Sequence, residues 1–353
     1  MSRDVKHILV IRLSAMGDVA MMVPVLKAFS AQHPNIKITV LSRALFKHMF
    51  DDIENVNFYV ADIKGKHKGF FGLWKLSKAL KALKIDAVAD LHNVLRSNIL
   101  KLFFGLQNIP VAQIDKGRTE KKELTRTEHK IFKPLKTTHQ RYADVFQSLG
   151  FHVDIFEAKA KQHPLATVEV QNIVADATKK YIGIAPFAAH KGKMYPLDLM
   201  EKVINQLLLI DEIRIVFFGG GEKEKQLLEA FQDHFDRTFC AVGKFSFEEE
   251  LALIARLDVM LAMDSGNAHL AAIYGVPTVT LWGVTHPFAG FAPFGQPRKR
   301  MILSDRRQFP LIPTSIYGNK YPVGYENAMY SIEPKVVVNA VLDAIYEEKK
   351  EVI

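Results

Sequence analysis

Val259-Met260-Leu261-Ala262-Met263-Asp264-Ser265-Gly266-Asn267-Ala268-His269-Leu270-Ala271-Ala272 reads as a buried strand that stops at an acid, followed at once by a helix. Five apolar residues in a row suit a strand covered on both faces, as in a parallel sheet. Ser265 and Gly266 then open an Ala-rich helical segment whose first backbone N–H groups have no partner within the helix. A helix N-terminus of this kind holds anions, pyrophosphate among them, and the side chains just before it face the carboxyl edge of the sheet.

The same grammar runs through the chain. In the first half, His7–Leu13, Ile36–Leu41, Phe58–Ala61, Ala87–Leu91 and Ile109–Ile114 read as strands. Val19, Met22, Val23, Leu26 and Phe29 fall at helical spacing, with Pro24 predicting a kink or a late helix start. Leu73, Leu76, Leu80 and Leu83 mark one face of a basic amphipathic helix over 70–84. In the second half, strands are expected at Tyr181–Pro186, Glu212–Phe218, Val259–Met263 and Thr278–Trp282. Helices are expected at Glu222–Phe235, Glu248–Arg256, Ala268–Tyr274 and Glu333–Lys350. Strands alternating with helices predict an α/β fold of two successive doubly wound, Rossmann-like domains facing each other across a cleft. Their expected limits are 1–165 and 166–332, with 333–353 as a C-terminal helix. Residues 115–136 carry eight Lys/Arg, four Asp/Glu and little apolar periodicity, which predicts a basic loop or mobile flap.

The length of 353 residues exceeds one ordinary core and suits two. An apolar content of 48% and a charged content of 24% are those of a soluble globular protein. A single cysteine, Cys240, excludes an internal disulfide framework and suits a reducing compartment. Met1-Ser2-Arg3-Asp4 leads straight into a strand, with no signal peptide, and no run of about 18 apolar residues occurs. A cytoplasmic protein is expected. The net charge of +9 is uneven: residues 1–160 hold 26 Lys+Arg against 15 Asp+Glu, and residues 161–353 hold 21 against 23. A basic half attracts nucleic acid, an anionic membrane surface or an anionic substrate.

Five loops after strands could carry chemistry. Ser14-Ala15-Met16-Gly17-Asp18 allows close backbone approach at Gly17, and Asp18 is either a helix N-terminal acid or a general base for an acceptor hydroxyl. The loop is neither Gly-x-Gly-x-x-Gly nor a Walker loop. Pro186 to Pro196 offers backbone amides near Ala188 and Ala189, and lysines including Lys193, to a diphosphate leaving group. Gly219-Gly220-Gly221-Glu222 lets a ligand lie against the backbone. In Val242-Gly243-Lys244-Phe245-Ser246, Phe245 either covers a base or packs in the core. In the opening stretch, Asp264 could bind sugar hydroxyls, Ser265 and Gly266 could offer amides to phosphate, and His269 could add a donor. The thirteen histidines are scattered and the cysteine has no partner, so no metal site is expected, and no Gly-x-Ser-x-Gly elbow occurs.

In series these stretches resemble the heptosyltransferase family, glycosyltransferase family 9. The resemblance lies in Arg12-Leu13-Ser14-Ala15-Met16-Gly17-Asp18-Val19, Asp90-Leu91…Arg96-Ser97, Lys193-Met194-Tyr195-Pro196 and Gly219-Gly220-Gly221-Glu222. It continues in Asp264-Ser265-Gly266-Asn267-Ala268-His269, Pro277 to Gly283 and Thr285-His286-Pro287. It implies a GT-B architecture and an inverting enzyme without a catalytic metal or other cofactor. Asp18 would be the base, with Ser14, Met16, Gly17 and Arg96 on the acceptor side. Lys193, Ala188 and Ala189 would meet the diphosphate, Glu222 the ribose, Phe245 the adenine and Asp264 the sugar, with Ser265, Gly266 and His269 at the phosphates. The C-terminal helix would cross back to the first domain. The implied partners are an ADP-heptose-like donor and an anionic lipopolysaccharide-precursor acceptor met at the inner membrane face. Competing readings are transfer of another sugar or to another acceptor, a nucleotide-sugar epimerase or hydrolase that needs no acceptor, and a basic nucleic-acid-binding module. The last lacks any nucleic-acid motif, so no nucleic-acid partner is expected.

Overall fold

The computed structural model describes residues 5–347. The reading of Met1-Ser2-Arg3-Asp4 and the expected helical residues 348–350 lie outside them. The chain forms two compact units, one of residues 1–117 and 136–160, the other of residues 118–135 and 161–353.

In the first unit the order is β1 (His7–Ile11), α1 (Met16–Ala20), α2 (Met22–Gln32), β2 (Lys37–Ser42), β3 (Val56–Val60) and α3 (Gly69–Lys81). Next come β4 (Ala87–Asp90), α4 (Leu95–Gly105) and β5 (Val111–Gln113); α5 (Arg118–Thr125) belongs to the second unit, and α6 (Thr138–Ser148) returns to the first. The strands pair in parallel in the order β3-β2-β1-β4-β5. Every residue of His7–Ile11 is buried, because both faces of β1 are covered. Leu9 and Ile11 meet Leu73, Leu76, Leu80, Leu100 and Phe104 of α3 and α4. Ile8 and Val10 point the other way, and α2 and α6 join through Phe29 and Phe146, whose ring centres are 4.7 Å apart. Pro24 sits in the first turn of α2, where a missing N–H costs nothing, and the helical pattern from Val19 to Phe29 is broken at Met21 into α1 and α2.

The second unit runs α7 (Val168–Ile173), β6 (Lys180–Ala185), α8 (Leu197–Leu207), β7 (Ile213–Phe217), α9 (Glu222–His234) and β8 (Thr238–Cys240). It continues with α10 (Phe247–Ile254), β9 (Val259–Met263), α11 (Gly266–Ile273), β10 (Thr278–Trp282), β11 (Met301–Leu303) and α12 (Pro334–Tyr346). Its parallel order is β11-β10-β9-β6-β7-β8. The strand order reverses beside β6 here and beside β1 in the first unit. In open α/β sheets ligands bind outside the carboxyl ends of strands at such a reversal.

One expectation gives way. Residues 118–135 are no flap: they pack into the second unit, with Leu124 and Leu135 buried against Ala289 and with Phe132, Phe288 and Phe291 around them. Leu135 N–H donates to Phe288 O over 2.9 Å. Lys130 Nζ donates to Leu124 O (2.9 Å) and Pro313 O (2.7 Å), and burial pulls its pKa down to about 8. Arg306 lies 3.5 Å from the centre of the Phe132 ring. These anchors are distant in sequence, which is why local periodicity shows none of them. The described part of the C-terminal helix, α12, packs into the second unit's own core. Val337, Val338, Val341 and Ala344 form an apolar stripe at helical spacing, buried with Val203 and Leu207 of α8 and Val279 and Leu281 of β10.

Candidate active site

In the first unit the loop after β1 is tied to the loop after β4. Arg12 donates through NH1 to Leu91 O over 2.7 Å, and Leu13 N–H donates to His92 Nδ1 over 3.3 Å. The second loop is built on Asp90, which is wholly buried and accepts from His92 N–H, Asn93 N–H and Ser97 Oγ, each at 2.9 Å. Lys101 Nζ, also 2.9 Å away, balances its charge. Asp90 is therefore the scaffold of this edge, and Arg96 stands exposed in the first turn of α4.

Asp18 sits in the first turn of α1, about a quarter exposed (26%). Its Oδ2 pairs with Arg12 and accepts from Ala15 N–H at 3.3 Å, as a helix N-terminal acid does. Tyr142 Oη donates to Asp18 O over 3.1 Å and fixes the backbone behind it. Both side-chain contacts fall on Oδ2. Oδ1 has no protein partner among the described residues and can accept a proton. Ser14, Met16 and Gly17 line the same loop, half-buried.

In the second unit Asp264 directly follows β9 and is 7% exposed. Lys193 Nζ lies 2.9 Å from its Oδ2, and Thr285 Oγ1 donates to the same oxygen over 2.9 Å. Lys193 thus keeps two of its three N–H bonds, and Asp264 keeps Oδ1, for a ligand. The short turn that carries Lys193 is clamped by glycines. A Cβ on Gly192 would lie 2.6 Å from Gly318 O, and one on Gly318 (φ +77°) would lie 2.4 Å from Lys193 Cγ. Any larger side chain there would displace the lysine stem.

Helix α11 opens directly after Asp264. Ser265, its N-cap, makes no capping hydrogen bond, and its buried Oγ has no hydrogen-bond partner among the described residues. Gly266 begins the helix and His269 is buried one turn in. The free N–H groups and the Lys193 ammonium therefore converge where β6 and β9 lie side by side. Ala188 and Ala189 follow β6, and neither N–H donates to a backbone acceptor among the described residues. Glu222 opens α9 after β7, exposed, and accepts from Gln226 Nε2 over 3.2 Å. Phe245 follows β8, half-buried, with its ring centre 6.1 Å from that of Phe239.

Strand order puts these loops in sequence along one sheet edge: Thr285 after β10, Asp264 after β9, Ala188 to Lys193 after β6, Glu222 after β7 and Phe245 after β8. Strands lie about 4.8 Å apart, so β9 to β8 spans about 14 Å, the reach of an extended nucleoside diphosphate. Two partners were not singled out from sequence as site residues: Arg12 for Asp18 and Thr285 for Asp264. Each lay inside a quoted motif, Arg12 in the same loop motif as Asp18 and Thr285 after β10, the strand that pairs with β9. Among the described residues no cluster of three or more His, Cys, Asp or Glu forms a metal-binding group.

Two histidines act as neutral acceptors at these edges. His92 Nδ1 accepts from Leu13 N–H, and His286 Nδ1 accepts from Phe288 N–H over 3.1 Å, which an imidazolium cannot do. Burial above all, with Arg12 and Lys116 near His92 and Arg306 near His286, lowers each pKa from 6.5 to about 4. The folded-state pKa lies below the unfolded one, so this stability is complete above pH 6.5 and is lost as pH falls toward 4. Each ring accounts for about 3 kcal/mol at the acid end. His92→Asn, which keeps an acceptor and does not titrate there, is expected to flatten the decline in unfolding midpoint across this window; an unchanged slope would refute the assignment.

Two parallel, doubly wound units of this kind are the GT-B architecture. The chain belongs to glycosyltransferase family 9, the heptosyltransferase family, whose model matches residues 73–310. It is 24% identical over 288 residues to the lipopolysaccharide core heptosyltransferase OpsX of Haemophilus influenzae, covering 80% of each chain. Among solved structures it is similar to a family 9 glycosyl transferase from Veillonella parvula (TM-score 0.74, 21% identity, 99% of each chain). It is similar also to the E. coli heptosyltransferase WaaC with ADP (TM-score 0.65, 17% identity, 96% of this chain and 99% of that one).

Proposed function

We propose that this enzyme transfers a heptose from an ADP-heptose to an anionic lipopolysaccharide-core acceptor, with inversion and without a metal. The observation that carries the reading is the Lys193–Asp264–Thr285 cluster beneath the uncapped start of α11. It gathers a cation, orphan amides and an open carboxylate oxygen for the diphosphate and the sugar it bears. An acceptor oxygen attacks the anomeric carbon as the bond from that carbon to the diphosphate oxygen breaks. Asp18 Oδ1 takes the acceptor's proton. The nucleoside diphosphate departs with the bond electrons, its charge met by Lys193 and the α11 amides. One displacement from the opposite side inverts the centre. The relatives' names support the substrate class: a lipopolysaccharide core heptosyltransferase and a heptosyltransferase with ADP bound. Unit charge supports an anionic acceptor, since the first unit holds 20 Lys+Arg against 12 Asp+Glu and the second 27 against 26.

Nucleotide sugars tested for thermal stabilisation separate the alternatives. A ligand at 100 times its Kd adds about 2.7 kcal/mol to the native state. ADP-heptose is expected to raise the unfolding midpoint well above UDP- or GDP-sugars, and to be consumed only when an acceptor is present. Preference for a UDP-sugar would overturn the donor, and sugar conversion without acceptor would favour an epimerase.

A further inference from the structure

Helix α3, the loop before it and α4 carry a surface that the transfer reaction does not use. Between Asp62 and Asp86 the chain holds seven lysines and no acid. Leu73, Leu76 and Leu80 anchor α3 in the core. Its outer face nevertheless exposes Phe70 (54%), Phe71 (76%) and Trp74 (41%). Neighbouring α4 adds Leu95, Leu102 and, just past its end, Leu106, all exposed, and Phe70 meets Phe103 with ring centres 5.5 Å apart. Folded monomers rarely expose an apolar surface of this kind without a use for it.

The lysines stand around this patch in a fixed arrangement. Asp62 accepts Gly65 N–H and Lys66 N–H, each at 2.9 Å, while Asp62 N–H donates to buried His67 Nδ1. The turn therefore holds Lys64, Lys66 and Lys68 outward, and its one acid is spent on backbone amides. Lys78 Nζ lies 3.8 Å from the centre of the Trp74 ring, so its ammonium stands over the aromatic face.

We propose that this face docks the enzyme on an anionic lipid bilayer. Aromatic rings among lysines are what the boundary between acyl chains and charged headgroups accommodates, and lysine is depleted in protein–protein interfaces. The first turns of α3 and α4 follow β3 and β4, so they stand at the carboxyl edge of the first sheet, the edge that carries Asp18. Docking would bring that edge to headgroup height. This deepens the proposed function by naming the surface on which a lipid-borne acceptor is met, and it rests on that reading only for the acceptor.

The test uses the whole chain with phosphatidylcholine vesicles, with and without phosphatidylglycerol. Trp282 is buried, so a shift of tryptophan emission to shorter wavelength reports Trp74. Phosphatidylglycerol vesicles are expected to give that shift and to carry the protein down on sedimentation. Phe70→Ser with Phe71→Ser should weaken partitioning roughly tenfold or more, and Lys66→Glu with Lys68→Glu should abolish the dependence on phosphatidylglycerol. Both variants should keep the unfolding midpoint of the native chain, which shows that they fold. Equal binding to neutral vesicles, unaffected variants, or a dimer dissolved by Phe71→Ser would overturn the proposal. Because ADP-heptose binding is read separately, its failure would refute the donor assignment and leave vesicle docking standing.

Discussion

Asp18→Ala is expected to retain stabilisation by the donor and to lose transfer by roughly 10²- to 10⁴-fold, the usual worth of a positioned general base. Asp18 belongs to the first unit and the Lys193–Asp264 cluster to the second, so deleting its carboxylate removes no group from the donor cluster. The same carboxylate also offsets Arg12 and caps the start of α1 through Ala15 N–H, so alanine should cost some stability as well. Asp18→Asn separates the two roles. Its amide oxygen can still face the Arg12 guanidinium and the Ala15 amide, and it cannot take the proton. The expected pattern is near-native melting and donor binding for the asparagine variant, with turnover as low as for alanine. Transfer by Asp18→Asn at the native rate would remove Asp18 from the chemistry and leave it a helix acid.

The strands were legible because each lies inside a parallel sheet and must be apolar on both faces, so His7–Ile11 and Val259–Met263 stand out as continuous runs. β8 and β11 were not, since each is a three-residue edge strand, only partly buried and without the longer apolar flank that β5 has in Ile109 and Ile114. Helix α4 escaped for a different reason. Leu95 and Leu102 are apolar and exposed, so they blur the spacing of Leu100 and Phe104, which face the core. The residues that hide the helix in sequence are those of the lysine-ringed surface.

Of the candidate site, the acids could be read because an acid directly after a buried strand is a local signal. Their partners could not. Thr285 reaches Asp264 because β10 pairs with β9, and Arg12 reaches Asp18 across the bend between β1 and α1. Residues 118–135 show the limit most plainly. Their hold on the second unit runs through Phe132, Lys130 and Leu135 to residues about 150 or more positions away, and no period within the segment encodes it.

Lys193→Met should remove donor stabilisation and lower transfer by at least about 10²-fold, and it should also destabilise the second unit. Methionine keeps much of the stem that packs beside Gly318 and deletes only the charge. Asp264 would then hold a carboxylate at 7% exposure with Thr285 as its remaining side-chain donor. Breaking a buried pair by removing one partner costs on the order of 3 kcal/mol, chiefly because the other charge is stranded. Adding Asp264→Asn to Lys193→Met removes that stranded charge, so the double variant should recover most of the lost stability. Activity should not follow. The introduced asparagine amide can still meet a sugar hydroxyl, yet no cation remains for the departing diphosphate, and the α11 amides alone must carry it. Stability that returns while transfer stays low would separate what the ion pair does for the fold from what the ammonium does for the leaving group. If the double variant regained both, Lys193 would be a counter-ion to Asp264 and nothing more.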